Sequence, residues 1–210
     1  MKKLPLTLLQ LPDYWRDHFL KFTTNPLENP YGYPSLRSVL LSLRDMPYAR
    51  PSRGNTVRDC ITEWTGTCSA KHMAAHEWLT LMGHAPQFWM ACYIMDFKRP
   101  YYSDQLRTAA SAYRVYDVHN FVTCDLGHGE ITIDITFPAQ LGRHGFPITQ
   151  DWDGNNNFTL CCDPLERIAL HDLNSADQHK RSWLQSLNTS KALRLREAAI
   201  LEMAGYVGTD

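Results

Sequence analysis

Apolar residues fall at helical spacing in Ser35-Leu36-Arg37-Ser38-Val39-Leu40-Leu41-Ser42-Leu43-Arg44, where Leu36, Val39, Leu40 and Leu43 occupy positions i, i+3, i+4 and i+7. One face is therefore apolar, which predicts an amphipathic helix with Ser35 as its N-cap and Met46-Pro47 at its end. A second helix is expected from Cys68 to about Met82, with Gly83 placed to stop it. Gln87 to Met95 is nearly continuously apolar and aromatic, the pattern of a strand covered on both faces. Tyr113 to Cys124 and Glu130 to Phe137 predict two further strands, joined by a short turn that contains Gly127 and Gly129. Ile131, Ile133 and Ile135 alternate with Thr132, Asp134 and Thr136, so the isoleucines are expected to face the core.

The remaining stretches carry weaker patterns. Pro5, Pro12, Pro26, Pro30 and Pro34 predict that residues 1 to 34 wrap the domain in irregular pieces, with a short helix at Asp13 to Phe22 capped by Asp13. Lys98 to Arg107 is a polar, tyrosine-bearing connection, and Gly142 to Asn157 a loop. Asp177 to Ala204 holds two helical stretches broken near Asn188-Thr189-Ser190. There is no repeat, linker or low-complexity tract. The expected fold class is α+β, one domain over residues 1 to 210: a helical front, an antiparallel sheet and a helical end.

Composition narrows the function classes. At 210 residues, 44% apolar and 20% charged, the chain suits an ordinary globular protein with a sizeable core. A net charge of −1 argues against a dedicated partner in nucleic acid or an anionic membrane, since both need a strong basic field. No stretch is long and apolar enough to span a bilayer. The apolar start after Met1-Lys2-Lys3 is interrupted by Pro5 and ended by Pro12 and Asp13, without a small-residue cleavage site, so a cytoplasmic protein is expected. Six cysteines without a CxxC pair suit reduced thiols and not a disulfide framework or zinc ribbon. The vicinal pair Cys161-Cys162 is expected to be two packed or half-exposed thiols.

Three residues stand in settings that suit a shared chemistry. Cys68 lies where an irregular stretch, Gly66-Thr67, gives way to a helix, and a helix N-terminus favours a thiolate. Gly66 is expected to let the backbone turn and approach a substrate. The amide of Cys68, unpaired within the first turn, can donate to an oxyanion; Trp64 and Lys71 are the candidates for a second donor. His119 shares a face with Asp134 if the hairpin register sets it opposite Thr132, Asp134 or Thr136, as turns centred beside Gly127 do. A buried carboxylate in a strand requires a partner, and an imidazole on the next strand supplies one while fixing its tautomer. Asp117, two residues before His119 on the same strand, is poorly placed to reach the far ring nitrogen.

Gly66-Thr67-Cys68-Ser69-Ala70-Lys71-His72, Asp117-Val118-His119-Asn120 and Ile133-Asp134-Ile135-Thr136-Phe137-Pro138 resemble the transglutaminase-like superfamily of cysteine enzymes, over roughly residues 57 to 138. The resemblance implies a papain-like fold, with a central antiparallel sheet and the nucleophile at the N-terminus of a packed helix. It implies acyl chemistry through a thioester, with Cys68 as nucleophile, His119 as general base and acid, and Asp134 as orienting carboxylate. The substrate would be a peptide, a protein or a small amide, resolved by hydrolysis or transamidation. The Arg-Gly-Gly-x-Cys signature of arylamine N-acetyltransferases, which share the triad order, is absent, and no EF-hand-like ligand run is present.

Other features have plainer explanations. His72 and His76 stand one turn apart, but Met73 occupies the position where a zincin requires Glu, so no zinc is expected at this pair, and the acyl chemistry that the resemblance implies needs neither metal nor organic cofactor. Lys71 has the default role of a solvated helix lysine, and most aromatics fill the core. Trp64, beside the nucleophile, is the candidate substrate contact. The alternatives to an enzyme of this type are a catalytically silent binding module and an acyl-CoA-dependent acyltransferase. Oligomeric state is not encoded in any of these patterns.

Overall fold

Ser35 caps its helix as its position dictates: its Oγ accepts the Ser38 amide at 3.1 Å. The computed structural model describes residues 11–22 and 35–206. The irregular wrapping expected around Pro5, Pro26, Pro30 and Pro34 lies outside the described residues. The helical front consists of α1 (Asp13–Phe22), α2 (Leu36–Asp45), α3 (Val57–Glu63) and α4 (Cys68–Leu81). Three strands follow, β1 (Gln87–Ile94), β2 (Tyr116–Asp125) and β3 (Glu130–Ile133), with α5 (Asp104–Ala110) between the first two. An edge strand β4 (Glu166–Leu170) precedes α6 (Ala176–Leu187) and α7 (Ser190–Gly205).

The fold is α+β, with an antiparallel four-stranded sheet in the order β3-β2-β1-β4. The β2–β3 hairpin pairs Val122 with Ile133 and Asp125 with Glu130, so its turn is centred between Gly127 and His128. Asp125 Oδ1 accepts the amides of Gly127 and Gly129, and both glycines have φ near +100°, where a side chain would be strained. One apolar core lies between the sheet and the helical front, built on Trp15, Leu43, Trp78, Phe88, Val122 and Ile133. A second gathers Tyr101, Tyr102, Phe137, Phe146 and the buried face of α7.

Several elements differ from expectation, each for a local reason. Asp13 is the first residue of α1, not its cap, and accepts the amide of its neighbour Tyr14 at 2.8 Å. The third strand stops at Ile133 and not Phe137, because the next amides go to side chains: Ile135 N–H donates to His72 Nε2 and Thr136 N–H to Asp134 Oδ1. The connection after Lys98 contains α5, whose N-cap Ser103 accepts the Leu106 amide at 3.1 Å. Only Leu106 and Ala110 of α5 are buried, too few to set a helical period. The edge strand β4 is mostly exposed and carries no alternating pattern.

Candidate active site

The segment that delivers Cys68 is tied to the loop after α2. Trp64 ends α3 in the left-handed region, at φ 51°. The carbonyl of Pro47 then accepts both the Gly66 amide, at 3.1 Å, and the Thr65 hydroxyl, at 3.2 Å. Gly66 is required for packing rather than for approach to a substrate: a Cβ there would stand 2.9 Å from Cys60 Sγ and 3.1 Å from Lys71 Cγ. Thr67 is the extended N-cap residue of α4, and Cys68 opens the helix with 7% of its surface exposed. Its amide is among those an α-helix leaves unpaired in its first turn.

His119 projects from β2, and Asp134 follows directly on β3. The His119 Nε2–H donates to Asp134 Oδ2 at 2.9 Å. Asp134 also accepts the Cys161 amide at 2.8 Å, the Thr136 amide at 3.2 Å and the Thr136 hydroxyl at 2.6 Å. Burial alone would push its carboxyl up, but the charge and hydrogen bond of His119 outweigh it and hold Asp134 well below the usual carboxylate range. Burial likewise opposes charge on His119, yet Asp134 raises its pKa well above the ordinary imidazole value. With Nε2 committed to Asp134, Nδ1 is the ring nitrogen left for a proton from the thiol.

A residue from the far end of the chain completes the surroundings of the thiol. Lys180, on α6, points its ammonium at Cys68 Sγ (3.5 Å), Ser69 Oγ (3.1 Å) and Asn120 Oδ1 (3.3 Å). Burial pushes the Cys68 thiol up, but the Lys180 charge first, and then His119 beside it, bring it down to about 6. Burial pushes Cys60 up to about 12 and Cys124 up to about 11, and raises Cys92. Cys162 is also lowered, chiefly by a hydrogen bond from Cys161. All six cysteines are free thiols.

Cys161 is closer to the chemistry than the packed pair expected from sequence. Its Sγ is 3.4 Å from both ring nitrogens of His119, which sets it over the ring and not in line with either N–H. Burial holds this thiol well above its ordinary pKa, whereas Cys68 is lowered. His119, Asp134 and Cys161 also offer ligand atoms within 4.8 Å of one another, and are the group among the described residues that could hold a metal ion.

Neighbouring residues have structural work. His72 is fully buried, with Nδ1 against the Cys68 carbonyl (2.7 Å) and Nε2 accepting the Ile135 amide (2.9 Å). Because Nε2 accepts, Nδ1 carries the proton and the ring is neutral; burial brings its pKa down to about 4. Lys71 is not a solvated lysine: it is fully buried and donates to the carbonyls of Arg44 (2.8 Å) and Thr136 (3.0 Å). Asp117 gives its carboxylate to Arg196 (2.6 Å), Tyr93 (3.0 Å) and the Val118 amide (2.7 Å). Trp64 stacks on His18 with ring centroids 3.7 Å apart and does not line the cleft over Cys68.

That cleft has a volume of about 560 Å³. Cys68 and Thr67 form part of its floor, with Tyr48, Lys180, Leu184 and Arg196 around them. Lys180 carried no signal in sequence, being one polar residue among several in Asp177-Gln178-His179-Lys180-Arg181. Only folding shows which of them turns inward. Comparison of the chain with family models, with curated proteins and with solved structures returned no match.

Proposed function

We propose that the protein is a cysteine-dependent acyl-transfer enzyme of transglutaminase-like, papain-like type, acting on an amide through a thioester on Cys68. The observation that carries this reading is geometric: Cys68 opens α4 with the Lys180 ammonium 3.5 Å from its Sγ, near an imidazole whose Nε2 is bound to Asp134 at 2.9 Å, and these charges bring the thiol down to about 6. At neutral pH the pair is then thiolate and imidazolium, ready to attack without a separate deprotonation.

The steps follow from these charges. The Cys68 thiolate adds to the carbonyl carbon, and the oxygen takes the negative charge against the Cys68 amide at the helix start, with the Lys180 ammonium nearby. His119 gives its proton to the departing nitrogen as the C–N bond breaks, leaving a thioester and a free amine. Water then attacks the thioester, neutral His119 takes its proton, and the carboxylic acid leaves as the thiolate re-forms. An incoming amine in place of water gives transamidation. Asp134 keeps the ring oriented and stabilises its charged form throughout. The reading needs no metal.

The test is the rate of iodoacetamide alkylation against pH, with the modified residue located by mass spectrometry. Cys68 is expected to react with a midpoint near pH 6, well below the ~8.5 of an ordinary thiol. Cys68→Ala should abolish thioester formation, and Cys60→Ala should leave it standing. Labelling at Cys68 no faster than at a free thiol would overturn the reading in favour of a silent binding module.

A further inference from the structure

The charge of the cleft contrasts with that of the chain. The whole protein carries a formal charge of −1, yet the cleft over Cys68 is lined by Arg50, Arg53, Lys180, Arg181 and Arg196 against only two carboxylates, Asp117 and Asp177. Two of these cations are spent within the protein. Arg196 is paired with Asp117, and Arg50 with Glu197, each at 2.6 Å. Lys180 is directed at the thiol. Asp177, the remaining carboxylate, accepts from the Asn55 side chain at 3.2 Å.

Arg53 and Arg181 are left. Both are exposed and both line the cleft, and neither guanidinium forms an ion pair among the described residues; Arg53 has Glu63 nearby, which accepts its amide at 3.2 Å and feels its charge, without a contact to the guanidinium. They come from different elements, Arg53 from the loop before α3 and Arg181 from α6, and reach the same cavity as the nucleophile. A concave space lined by an excess of one sign of charge focuses a field that draws in the opposite charge. Guanidinium groups match the planar oxygens of carboxylates and the oxygens of phosphates, with two hydrogen bonds each.

We infer that the acyl substrate of Cys68 bears an oxyanion, a carboxylate or phosphate, held by Arg53 and Arg181 while its carbonyl lies at the thiol. The inference rests on the acyl-transfer reading and names its substrate class. Apolar contacts from Tyr48, Leu184 and Ile200 leave room in the same cleft for the carbon chain between the two ends.

The experiment compares two acyl donors that differ in one charge: the 4-nitrophenyl monoester of glutarate and the same ester with its free carboxylate capped as a methyl ester. In each, the Cys68 Sγ–C bond forms as the ester C–O bond breaks and 4-nitrophenolate leaves. At low salt the charged donor should acylate Cys68 about tenfold faster or more, as in other sites with a focused field. The preference should shrink at about 0.5 M salt, where screening shortens to a few ångströms. It should also collapse in the double variant Arg53→Ala/Arg181→Ala, checked for an unchanged far-ultraviolet circular dichroism spectrum. Because the preference is a ratio within each variant, a general loss of activity cancels.

Competition by free glutarate supports the carboxylate form of the inference, and competition by inorganic phosphate the phosphate form. Equal rates for the two donors, or a preference that survives the double substitution, would overturn it even if iodoacetamide labels Cys68 rapidly. Slow iodoacetamide labelling would instead overturn the acyl-transfer reading, and this inference with it.

Discussion

At the scale of single residues, the thiol of Cys68 is governed by charges from two distant parts of the chain, β2 and α6. Burial opposes ionisation, and Lys180 is the largest influence against it. Lys180→Met keeps most of the side-chain volume and removes the charge, so the midpoint of Cys68 alkylation should move upward toward that of an ordinary thiol. A titration of the alkylation rate between pH 5 and 9 checks this, and an unmoved midpoint would assign the effect to His119 alone. Cys68, His119 and Asp134 could be singled out in sequence because each sits in a local pattern that suits the role proposed for it: a helix start, a strand, an alternating strand. Lys180 and Cys161 were not, because their partners are 112 and 42 residues away and nothing local marks them. Trp64 failed in the opposite sense: proximity in sequence to Cys68 suggested the cleft, but the left-handed turn at Trp64 sends its ring to His18.

At the scale of elements, the helices with a clear apolar face and the glycine turn were legible, and the elements held by side-chain contacts were not. α2 and α4 fall within a residue of expectation, as does the break between α6 and α7. The early end of β3 depends on His72, on another element, taking the Ile135 amide. α7 is fastened to β2 by Arg196 and Asp117, both about nine-tenths buried. Burial alone would push the Asp117 carboxyl up, but the Arg196 charge and hydrogen bond keep it low. Arg196→Met should therefore leave an uncompensated charge in the interior and cost about 3–5 kcal/mol. Urea denaturation of the variant measures it; a loss below ~1 kcal/mol would mean that Tyr93 and the Val118 amide suffice for Asp117.

For the whole molecule, the buried neutral His72 links stability to pH. Its pKa is about 4 in the folded chain and 6.5 when unfolded, so the unfolded chain binds a proton first as pH falls. This contribution is complete above pH 6.5 and is lost progressively down to pH 4, by about 3 kcal/mol for a group so deeply buried. His119 does not offset it there: its pKa is raised, so below pH 6.5 both states hold its proton. Asp134, whose pKa is lowered, adds a further loss once the pH falls below about 4. Urea midpoints measured from pH 7 to pH 4.5 should decline steadily, and a constant midpoint would show that His72 takes up its proton without cost.

What the amino-acid order determined by itself was local: which stretches bury one face as helices, where glycines turn the hairpin, and which thiol begins a helix. Hydrophobic periodicity and backbone preference act over a few residues, so they are written in consecutive positions. Tertiary structure alone decided which charges gather around that thiol. A chain of net charge −1 folds so that cations from the loop before α3, from α6 and from α7 face a single cleft. Electrostatic interaction depends on distance through space and on exclusion of water, and neither quantity exists until the chain has folded.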